Sequence, residues 1–361
     1  MYPIKKQDSN NIEWQIIDNY HGLRDIEEQW QLLVDKSPDL TPFSSPPWIL
    51  NWYNNYWQKS WELSTFAGYI NNKLVAILPC YIQHSSRWPY IKTVYPLGQG
   101  EPEEEEISSE YCDIIISKNI EAEKVLAQLQ EKLIALEIDQ IRWNATLENS
   151  HIKKLLAQLF KYELTATHTR YYVERSKWSL QSLSKNTRSQ YKRSINQLNK
   201  INAIFHWVES EHHEKYIVLL IEYHQKRWNS QEKEGAFSHE NFKKFHGKYR
   251  ENNSFKISAI TVNGKPIAIN YYFYDENSLY FYQSGWDSEH YSNFSLGFSL
   301  HLWSIENCHY KYYDFMMGKA KDSYKEKFGV QQKPMINVDM TINTSKIFIH
   351  KLIHKLTHFN Q

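Results

Sequence analysis

Three side chains with acid–base chemistry lie close together in YDFMMGKAKDSYKEKFG, residues 313–329. Asp314 ends a strand-like run, and Tyr324 and Lys325 follow after a glycine turn. A carboxylate can accept a proton, a phenol can donate one, and an ammonium group can hold an anion. The same residues are also consistent with a strand, a turn and a short amphipathic helix in which Tyr324 and Phe328 share the buried side. The segment is therefore a candidate site with a purely structural alternative.

Cations without neighbouring acids characterise SKNTRSQYKRSINQLNK, residues 184–200, where Ser184 can cap a helix. Arg188, Tyr191 and Lys192 lie within about one turn of such a helix. One helix face would then present two cations and a stacking ring to a sugar phosphate or a phospholipid headgroup. An ordinary solvated helix is the alternative, and the missing acids count against it.

A second candidate helix, LLIEYHQKRW at residues 219–228, places His224, Arg227 and Trp228 along adjacent turns. This trio can line a substrate cleft, and a histidine and an arginine beside a buried tryptophan would give the same pattern. The sequence has 16 histidines but no HExxH or comparable helical spacing. We therefore predict no metal site.

The charge balance excludes broad electrostatic recognition, because 42 Lys and Arg stand against 41 Asp and Glu. We therefore expect no DNA partner and only local recognition of charged molecules. Cys80, Cys112 and Cys308 lack the paired spacing of a disulfide framework or a zinc site, which fits a reducing compartment. No window approaches the ~20 apolar residues of a membrane span, so we expect a cytoplasmic protein.

The elements that would position these residues follow the same order in both halves of the sequence. The first half reads as a strand at 12–18, helices at 22–36 and 44–57, a hairpin at 63–83, an extended run near 90–97, an acidic loop, and then strand, helix, strand and helix to about 160. The second half reads as a strand at 203–208, helices at about 211–229 and 239–250, a hairpin, the strand SLYFYQSG, a helix from Leu296 to Asn307, the strand KYYDF and the short helix YKEKF.

The two predicted hairpins also match locally. NNKLVAI at residues 71–77 aligns with NGKPIAI at 263–269, so that the Asn71-Asn72 and Asn263-Gly264 turns lie 192 positions apart. A match of seven residues can arise by chance, but the shared order of elements makes a duplicated unit the better interpretation.

A unit with this order of elements resembles the acyl-CoA N-acyltransferase fold of the GNAT superfamily. Four segments carry a more specific resemblance to the double-domain branch that includes the CelD-like proteins linked to cellulose or exopolysaccharide synthesis: TPFSSPPWILNWYNNYW, HQKRW, GKPIAINYYF and YYDFMMGKAKDSYKEKFG. The peptidoglycan FemABX aminoacyltransferases are similar but more distant. The resemblance implies an α+β fold of two tandem GNAT-like units, each a mixed, mostly antiparallel sheet flanked by helices. We place the units at 1–165 and 166–340, followed by a basic amphipathic tail at 341–361.

The resemblance also implies a co-substrate, acetyl-CoA or another acyl-CoA, with its pyrophosphate at the start of the helix after the fourth strand. A helix start offers unpaired N–H groups and the positive end of the dipole. Here that start contains Asn293, Ser295 and Gly297, a reduced form of the glycine-rich loop of the superfamily, and a plain capped helix is the alternative. The first unit has no such turn after the acidic stretch at residues 101–110, so we expect it to lack the site and to form a wall of the substrate cleft.

The roles implied for the opening segment follow from acyl transfer. Asp314 would accept the amine proton, Tyr324 would protonate the departing thiolate, and Lys325, in the aromatic-Lys-x-x-Phe-Gly pattern of the FemABX proteins, would bind an anionic part of the acceptor. The structural alternatives are a cap or ion pair for Asp314, a core-facing ring for Tyr324 and a surface position for Lys325. Arg188, Lys192 and the trio of residues 219–228 complete the expected substrate contacts.

The function implied by the resemblance is an acyl-CoA-dependent N-acyltransferase, with N-acetyl transfer as the first expectation. Its acceptor would be an amino sugar, a glycan precursor or a related anionic small molecule in exopolysaccharide or envelope synthesis. A FemABX-like transferase using aminoacyl-tRNA is an alternative, as is an inactive binding or scaffold module in polysaccharide assembly. The acceptor, the acyl group and the oligomeric state do not follow from the sequence.

The tail SKIFIHKLIHKLTHF, residues 345–359, places apolar residues on one stripe and lysines elsewhere. A basic amphipathic helix of this kind can make weak contact with a membrane surface through 346–359, at the inner face of the membrane. Docking onto the protein's own surface is the alternative.

Overall fold

The computed structural model of the protein describes residues 12–37, 41–160, 167–229, 235–252, 255–319, 321 and 323–358. The helices are α1 (Tyr20–Asp25), α2 (Glu27–Asp35), α3 (Pro46–Tyr56), α4 (Ala122–Ala135), α5 (His151–Phe160), α6 (Lys185–Lys200), α7 (His213–Asn229), α8 (Glu240–Asn252), α9 (Leu296–Asn307) and α10 (Thr344–His358). The strands are β1 (Glu13–Ile17), β2 (Glu62–Leu63), β3 (Thr65–Ile70), β4 (Lys73–Leu78), β5 (Cys80–His84), β6 (Lys92–Pro96), β7 (Ile115–Ile116), β8 (Gln140–Leu147), β9 (His168–Glu174), β10 (Ile204–Trp207), β11 (Phe255–Val262), β12 (Lys265–Tyr274), β13 (Ser278–Trp286), β14 (Tyr312–Lys319) and β15 (Gln331–Thr341).

The chain forms two compact units that are not consecutive in sequence. Unit 1 comprises Met1–Glu101, Ile107–His168 and Pro334–Gln361, and unit 2 comprises Pro102–Glu106 and Thr169–Lys333. The chain thus returns to unit 1 after residue 333, because β15 pairs antiparallel with β8 from Met335↔Leu147 to Thr341↔Gln140. The units predicted from the sequence, 1–165 and 166–340, assign residues 334–340 to the second unit, whereas the structure places them in the first.

Unit 1 has a small antiparallel sheet in the order β1-β3-β4-β7 and further strands in the order β15-β8-β6-β5-β2. Helix α3 begins at Pro46, where proline fits because the first turn of a helix has no use for its missing N–H. Helices α4 and α5 bury Leu129, Leu133 and Leu155 in the core of this unit. No helix of the described residues is long and apolar enough to cross a membrane.

Unit 2 arranges its strands in the order β10-β11-β12-β13-β14-β9. Neighbouring strands from β10 to β13 run antiparallel, and β13 and β14 run parallel. Helix α9, which has the bounds predicted from the sequence, buries Leu300, Leu302 and Ile305. The expected fold class, an α+β arrangement of mixed, mostly antiparallel sheets flanked by helices, is confirmed.

The two hairpins singled out in the sequence have the same register and the same irregularity. The turn residues Asn71, Asn72, Asn263 and Gly264 have φ of 51°, 60°, 51° and 74°, the left-handed values that a two-residue turn of this kind requires. In each hairpin the second strand carries one extra residue at the same distance from the turn, between the pairs Tyr69↔Leu74 and Gly68↔Ala76 in one and Thr261↔Pro266 and Ile260↔Ala268 in the other. A bulge repeated at an offset of 192 residues supports duplication more strongly than the seven-residue match.

Candidate functional site

The two parallel strands of unit 2 separate after a short paired stretch. Strands β13 and β14 pair at Ser278↔Tyr312, Leu279↔Tyr313 and Tyr280↔Asp314. Beyond these pairs, residues 281–286 of β13 and 315–319 of β14 have no register with each other among the described residues. We call the space between these two ranges the β13–β14 opening. On the β13 side, backbone groups face this opening instead of a neighbouring strand, and a bound molecule could pair with them.

A bulge lies where β13 leaves its partner. Tyr272 pairs with Phe281 and Tyr271 with Gln283, so Tyr282 is an extra residue on β13. Its hydroxyl lies 3.1 Å from Nε2 of His246, a fully buried residue whose pKa burial lowers well below the usual range. Bulges redirect side chains and are frequent at functional sites. No sequence pattern indicated Tyr282 or His246, because a bulge depends on the pairing of two separate segments.

Lys325, predicted to bind an anion, is 8% exposed and turned toward the backbone of β14. Its Nζ donates to the carbonyl oxygens of Phe315 at 2.6 Å, Met317 at 2.5 Å and Met316 at 3.4 Å. These carbonyls follow the last residue that pairs with β13, and an ammonium group has three protons to donate. The geometry favours a lysine that stabilises the unpaired edge of β14, and we do not assign it to the acceptor.

Asp314, predicted to accept a proton, is fully buried. Its Oδ2 accepts hydrogen bonds from Nε of Arg170 at 2.7 Å and Nη2 at 2.5 Å, and its Oδ1 accepts from the Met316 N–H at 2.7 Å. A buried carboxylate held by a guanidinium is costly to separate from its partner. This geometry is the ion pair named as the structural alternative, so Asp314 is not part of the chemistry that we propose.

Tyr324, predicted to donate a proton, is 52% exposed, whereas Asp314 and Lys325 are buried. The protein around its hydroxyl raises the pKa of Tyr324 to about 12, and the Arg227 guanidinium opposes the rise. The hydroxyl is therefore protonated at neutral pH and can give a proton to a stronger base. Arg227 itself lies over the Trp286 ring, 4.5 Å from its centroid, at the end of β13.

The first turn of α9 offers unpaired N–H groups. The first helical bond runs from the Ser299 N–H to the Ser295 carbonyl oxygen at 2.9 Å, so the three N–H groups of residues 296–298 have no acceptor within the helix. Within the described part of the chain, the Ser295 side chain makes no capping bond and the first turn has no acidic residue. Asn293 is exposed, and Gly297 faces Trp286, since a Cβ there would lie 3.3 Å from the indole.

Helix α6 packs beside the start of α9. Nε2 of Gln190 lies 3.5 Å from Oγ of Ser295, and the hydroxyls of Ser194 and Ser299 are 2.7 Å apart. Of the two predicted substrate contacts on this helix, Lys192 is exposed. Arg188 donates instead to the carbonyl oxygens of Gln181, at 2.8 Å, and Leu183, which ties the helix to the preceding turn.

Helix α7 approaches β13 closely because residue 285 is a glycine. A Cβ on Gly285 would lie 2.7 Å from the Leu220 carbonyl oxygen and 3.0 Å from Cβ of Tyr223. His224, one residue further, is buried against Phe237, and burial lowers its pKa to about 4. The structure therefore brings Arg227 to the opening and turns His224 into the core. The side chain of Trp228, the third predicted residue, lies outside the described residues.

A buried polar network includes Tyr313 of β14, one of the two strands at the opening. Nδ1 of His301 lies 2.7 Å from the Tyr313 hydroxyl, which donates to Tyr272 at 3.3 Å. Tyr272 in turn contacts Ser258 and Ser304 at 3.0 Å each. Burial and the neighbouring Lys325 lower the pKa of His301 to about 3, so the ring is neutral. The network went unrecognised in the sequence because its members come from four separate elements.

One group of potential metal ligands occurs in the described residues. Ligand atoms of Asp287, Glu289 and His290 lie within 4.8 Å of one another. Nδ1 of His290 is 3.0 Å from Oδ1 of Asp287, and Glu289 is 3.3 Å from Nζ of Lys226. These contacts account for the cluster, and we assign no metal to it; the expectation of no metal site stays a prediction.

Unit 1 closes the corresponding gap with a side chain. Strands β6 and β8 pair in parallel at Thr93↔Gln140 and Val94↔Ile141. Beyond them, the Gln99 amide accepts from the Asn144 N–H at 3.0 Å and donates to the Asn144 carbonyl oxygen at 2.9 Å. Helix α4 has Glu123 in its first turn, which disfavours an anion there. Both features fit the expectation that unit 1 lacks a cofactor site, which stays a prediction.

The comparisons agree with the architecture described above. Residues 185–326 match the family model of the acetyltransferase (GNAT) domain. The crystal structure of FemX is similar over 94% of this chain and 99% of its own, with a TM-score of 0.58 and 8% identity. A conserved protein of unknown function from Bacteroides thetaiotaomicron VPI-5482 is similar over 91% of this chain and 100% of its own, with a TM-score of 0.52 and 11% identity. The C-terminal domain (DUF2156) of a putative lysylphosphatidylglycerol synthetase from Agrobacterium fabrum is similar over 91% and 95%, with a TM-score of 0.51 and 9% identity.

The curated proteins include none that matches the sequence. At these identities the solved structures show a shared fold, and the family model locates the matching domain in the segment that contains α6, α7, α9 and the β13–β14 opening. The family match therefore places a GNAT-type acetyltransferase domain at residues 185–326, and the solved structures show that the chain shares the fold of FemX and of the DUF2156 domain.

Proposed function

We propose that the protein is an acyl-CoA-dependent N-acyltransferase whose co-substrate, acetyl-CoA or another acyl-CoA, binds unit 2 at the β13–β14 opening. The observation that carries the proposal is the separation of β13 and β14 after three residue pairs, beside a helix start without a side-chain cap. The β13 edge would supply hydrogen-bonding groups for an extended amide chain, and the N–H groups of α9 would supply donors for a pyrophosphate. Ser295 and Gly297 would be the residues of that first turn closest to the phosphates.

Transfer breaks the carbon–sulfur bond of a thioester and forms a carbon–nitrogen bond to an amine. The amine loses a proton, and the departing thiolate gains one. Tyr324 is the proton donor in this proposal because its hydroxyl carries a proton at neutral pH and its ring is accessible, and water replaces the proton that it gives to the thiolate. Since Asp314 is held in its ion pair, the amine proton passes to water in the opening.

The acceptor in this proposal is an amino sugar, a glycan precursor or a related anionic small molecule of exopolysaccharide or envelope synthesis. Exposed Lys192 and Arg193 lie on α6, the helix that packs beside the start of α9, and would attract its negative group. The sugar class derives from the CelD-like resemblance of the four sequence segments described above. Such a protein would work at the cytoplasmic side of the membrane, with no DNA partner.

Aminoacyl-tRNA is the second candidate donor. The observation that favours it is α6, whose sequence contains five Lys and Arg and no Asp or Glu. Phosphate contacts by such a helix would make binding strongly salt-dependent. Filter binding with charged tRNA, compared between the wild type and Lys192→Glu, separates this donor from acyl-CoA.

Ser295→Asp tests the acyl-CoA site. The new carboxylate would cap the N–H groups of α9 and repel a pyrophosphate, while the helix itself gains a favourable cap. We expect calorimetry to show acetyl-CoA binding weakened at least about tenfold, with the unfolding temperature unchanged or raised. Ser295→Asn, which caps without charge, is the matched control and should keep most of the affinity. Equal affinity of Ser295→Asp and the wild type, or no binding of any acyl-CoA by the wild type, would overturn the proposal.

A further inference from the structure

Two segments of unit 1 expose large apolar side chains side by side. Trp88 and Tyr90 in one segment and Phe348, Ile349 and Leu352 on α10 are between 42% and 68% exposed. We call these five residues the α10 patch. Nδ1 of His350 lies 3.2 Å from the Pro89 carbonyl oxygen, which brings the two segments into contact. Five exposed apolar residues on two segments that touch are unusual, because isolated ones are the rule on protein surfaces.

Helix α10 is fixed to unit 1 by its other side. Nζ of Lys346 lies 2.6 Å from Oδ2 of Asp139, and Ile347 is buried. The Asp139 carbonyl oxygen also accepts from the N–H of Ile342, just before the helix. Docking onto the protein's own surface, one of the two fates expected for this tail, therefore occurs and still leaves the outer apolar side of the helix uncovered. Residue 359, the last of the predicted membrane-contact range, lies outside the described residues.

The two segments that carry the patch contain basic residues and no acidic ones, and the carboxylate beside them, Asp139, is paired with Lys346. The sequences of residues 84–92 and 344–358 contain five Lys and Arg and no Asp or Glu, whereas the whole chain has a net charge of +1. Lys351 and Lys355 are exposed next to the apolar residues of the helix. Protein partners of an apolar patch do not require this charge, but a bilayer with anionic lipids attracts it.

The types of the apolar residues point to the same partner. Tryptophan and tyrosine rings have an apolar body and a polar tip, and they favour the boundary between lipid headgroups and acyl chains. Helix α10 has 15 residues, and an amphipathic helix of this kind lies in the plane of that boundary.

We propose that the α10 patch docks on the surface of a bilayer that contains anionic lipids. The apolar residues enter the headgroup region, and Lys351 and Lys355 contact the negatively charged headgroups. Unit 1 would thereby fix the enzyme at a membrane, where lipid-linked or membrane-produced acceptors are concentrated. This proposal does not depend on the acyl-CoA site, because bilayer binding is measured without any substrate.

Vesicle co-sedimentation of the full chain tests the docking surface. The vesicles contain phosphatidylcholine alone or phosphatidylcholine mixed with phosphatidylglycerol, and we expect binding to the mixed vesicles that weakens as salt is added. Phe348→Ser with Leu352→Ser should weaken this binding about tenfold or more, and so should Trp88→Ala. Lys351→Gln should weaken binding to the mixed vesicles about fivefold and leave any binding to phosphatidylcholine vesicles unchanged.

Matched controls come from apolar residues of similar exposure elsewhere. Ile204→Ser and Val218→Ser, both in unit 2, should bind vesicles like the wild type. Unchanged far-ultraviolet circular dichroism and unfolding temperature confirm that each variant is folded. Failure of the wild type to bind mixed vesicles would overturn the proposal, as would an equal loss in the Ile204→Ser control. Self-association abolished by the Phe348→Ser and Leu352→Ser changes, without vesicle binding, would assign the patch to contact between protein copies instead.

Discussion

The buried pair of Arg170 and Asp314 allows a sharp test of which residues do chemistry. The side chain of Asp314 has no exposed surface and that of Arg170 is 13% exposed, with Nη2 and Oδ2 2.5 Å apart. Arg170→Met leaves a buried carboxylate without its cation, and we expect a loss of about 3–5 kcal/mol in the free energy of unfolding. Asp314→Asn leaves the guanidinium without its anion and should cost a comparable amount.

The double variant Arg170→Met and Asp314→Asn removes both charges and keeps an oxygen near the Met316 N–H. We expect its free energy of unfolding to lie within about 2 kcal/mol of the wild type, because replacing a whole buried ion pair is often neutral. Urea unfolding of the four proteins at pH 7 gives the interaction energy between the two side chains.

Activity of the same double variant decides the role of Asp314. If the pair is structural, acyl transfer should remain within about tenfold of the wild type once the protein is folded. A general base contributes about 10²–10⁴-fold to a rate. A stable double variant that has lost acyl transfer to that extent would refute our interpretation and return Asp314 to the chemistry.

Four further predictions concern catalysis and stability in unit 2. Tyr324→Phe should lower kcat about 10²-fold with little change in KM, as measured by steady-state kinetics. Lys325→Ala should lower the free energy of unfolding by about 1–3 kcal/mol through the loss of its carbonyl contacts, as measured by urea unfolding. The pKa of His301 is lowered from 6.5 to about 3 in the folded state, so the unfolded chain binds the extra proton as the pH falls. The contribution of His301 to the free energy of unfolding is present above about pH 6.5, and the free energy should fall by roughly 2 kcal/mol at pH 5. His301→Gln should reduce this fall in urea unfolding at the two pH values. Gly285→Ala should destabilise the protein by about 1–3 kcal/mol because its Cβ would meet the α7 backbone, while Gly247→Ala, a helix position with nothing within 4 Å, should stabilise it by about 0.5–1 kcal/mol; equal effects of the two changes would contradict the packing described for α7.

Local features of the sequence predicted local features of the fold. Helix α9 begins at Leu296 and ends at Asn307 as expected, and the Asn71-Asn72 and Asn263-Gly264 turns form at the predicted positions. Each depends on residues that are neighbours in sequence, such as an Asn or Gly that tolerates positive φ. Such features can be read without knowledge of the rest of the chain.

The directions of the site residues could not be predicted in the same way. Asp314 meets Arg170 and Lys325 meets the carbonyls of β14 because distant strands come together in unit 2. The bulge at Tyr282 likewise exists only through the pairing of β12 with β13. The sequence supplied the residue types of a site, but tertiary contacts decide which side chains are accessible. Our proposal therefore uses Tyr324 and Arg227 and leaves out the buried Asp314.

The return of the chain to unit 1 sets an order for folding during synthesis. Almost all of unit 2 lies in the continuous range Thr169–Lys333, so its strands and helices are complete before the ribosome reaches β15. Unit 1 begins first but receives the strand beside β8 last, so that an edge of β8 stays unpaired while unit 2 is made. The unit that is synthesised first therefore completes its sheet after the other unit has been made, and a nascent chain depends on β15 to protect strand β8.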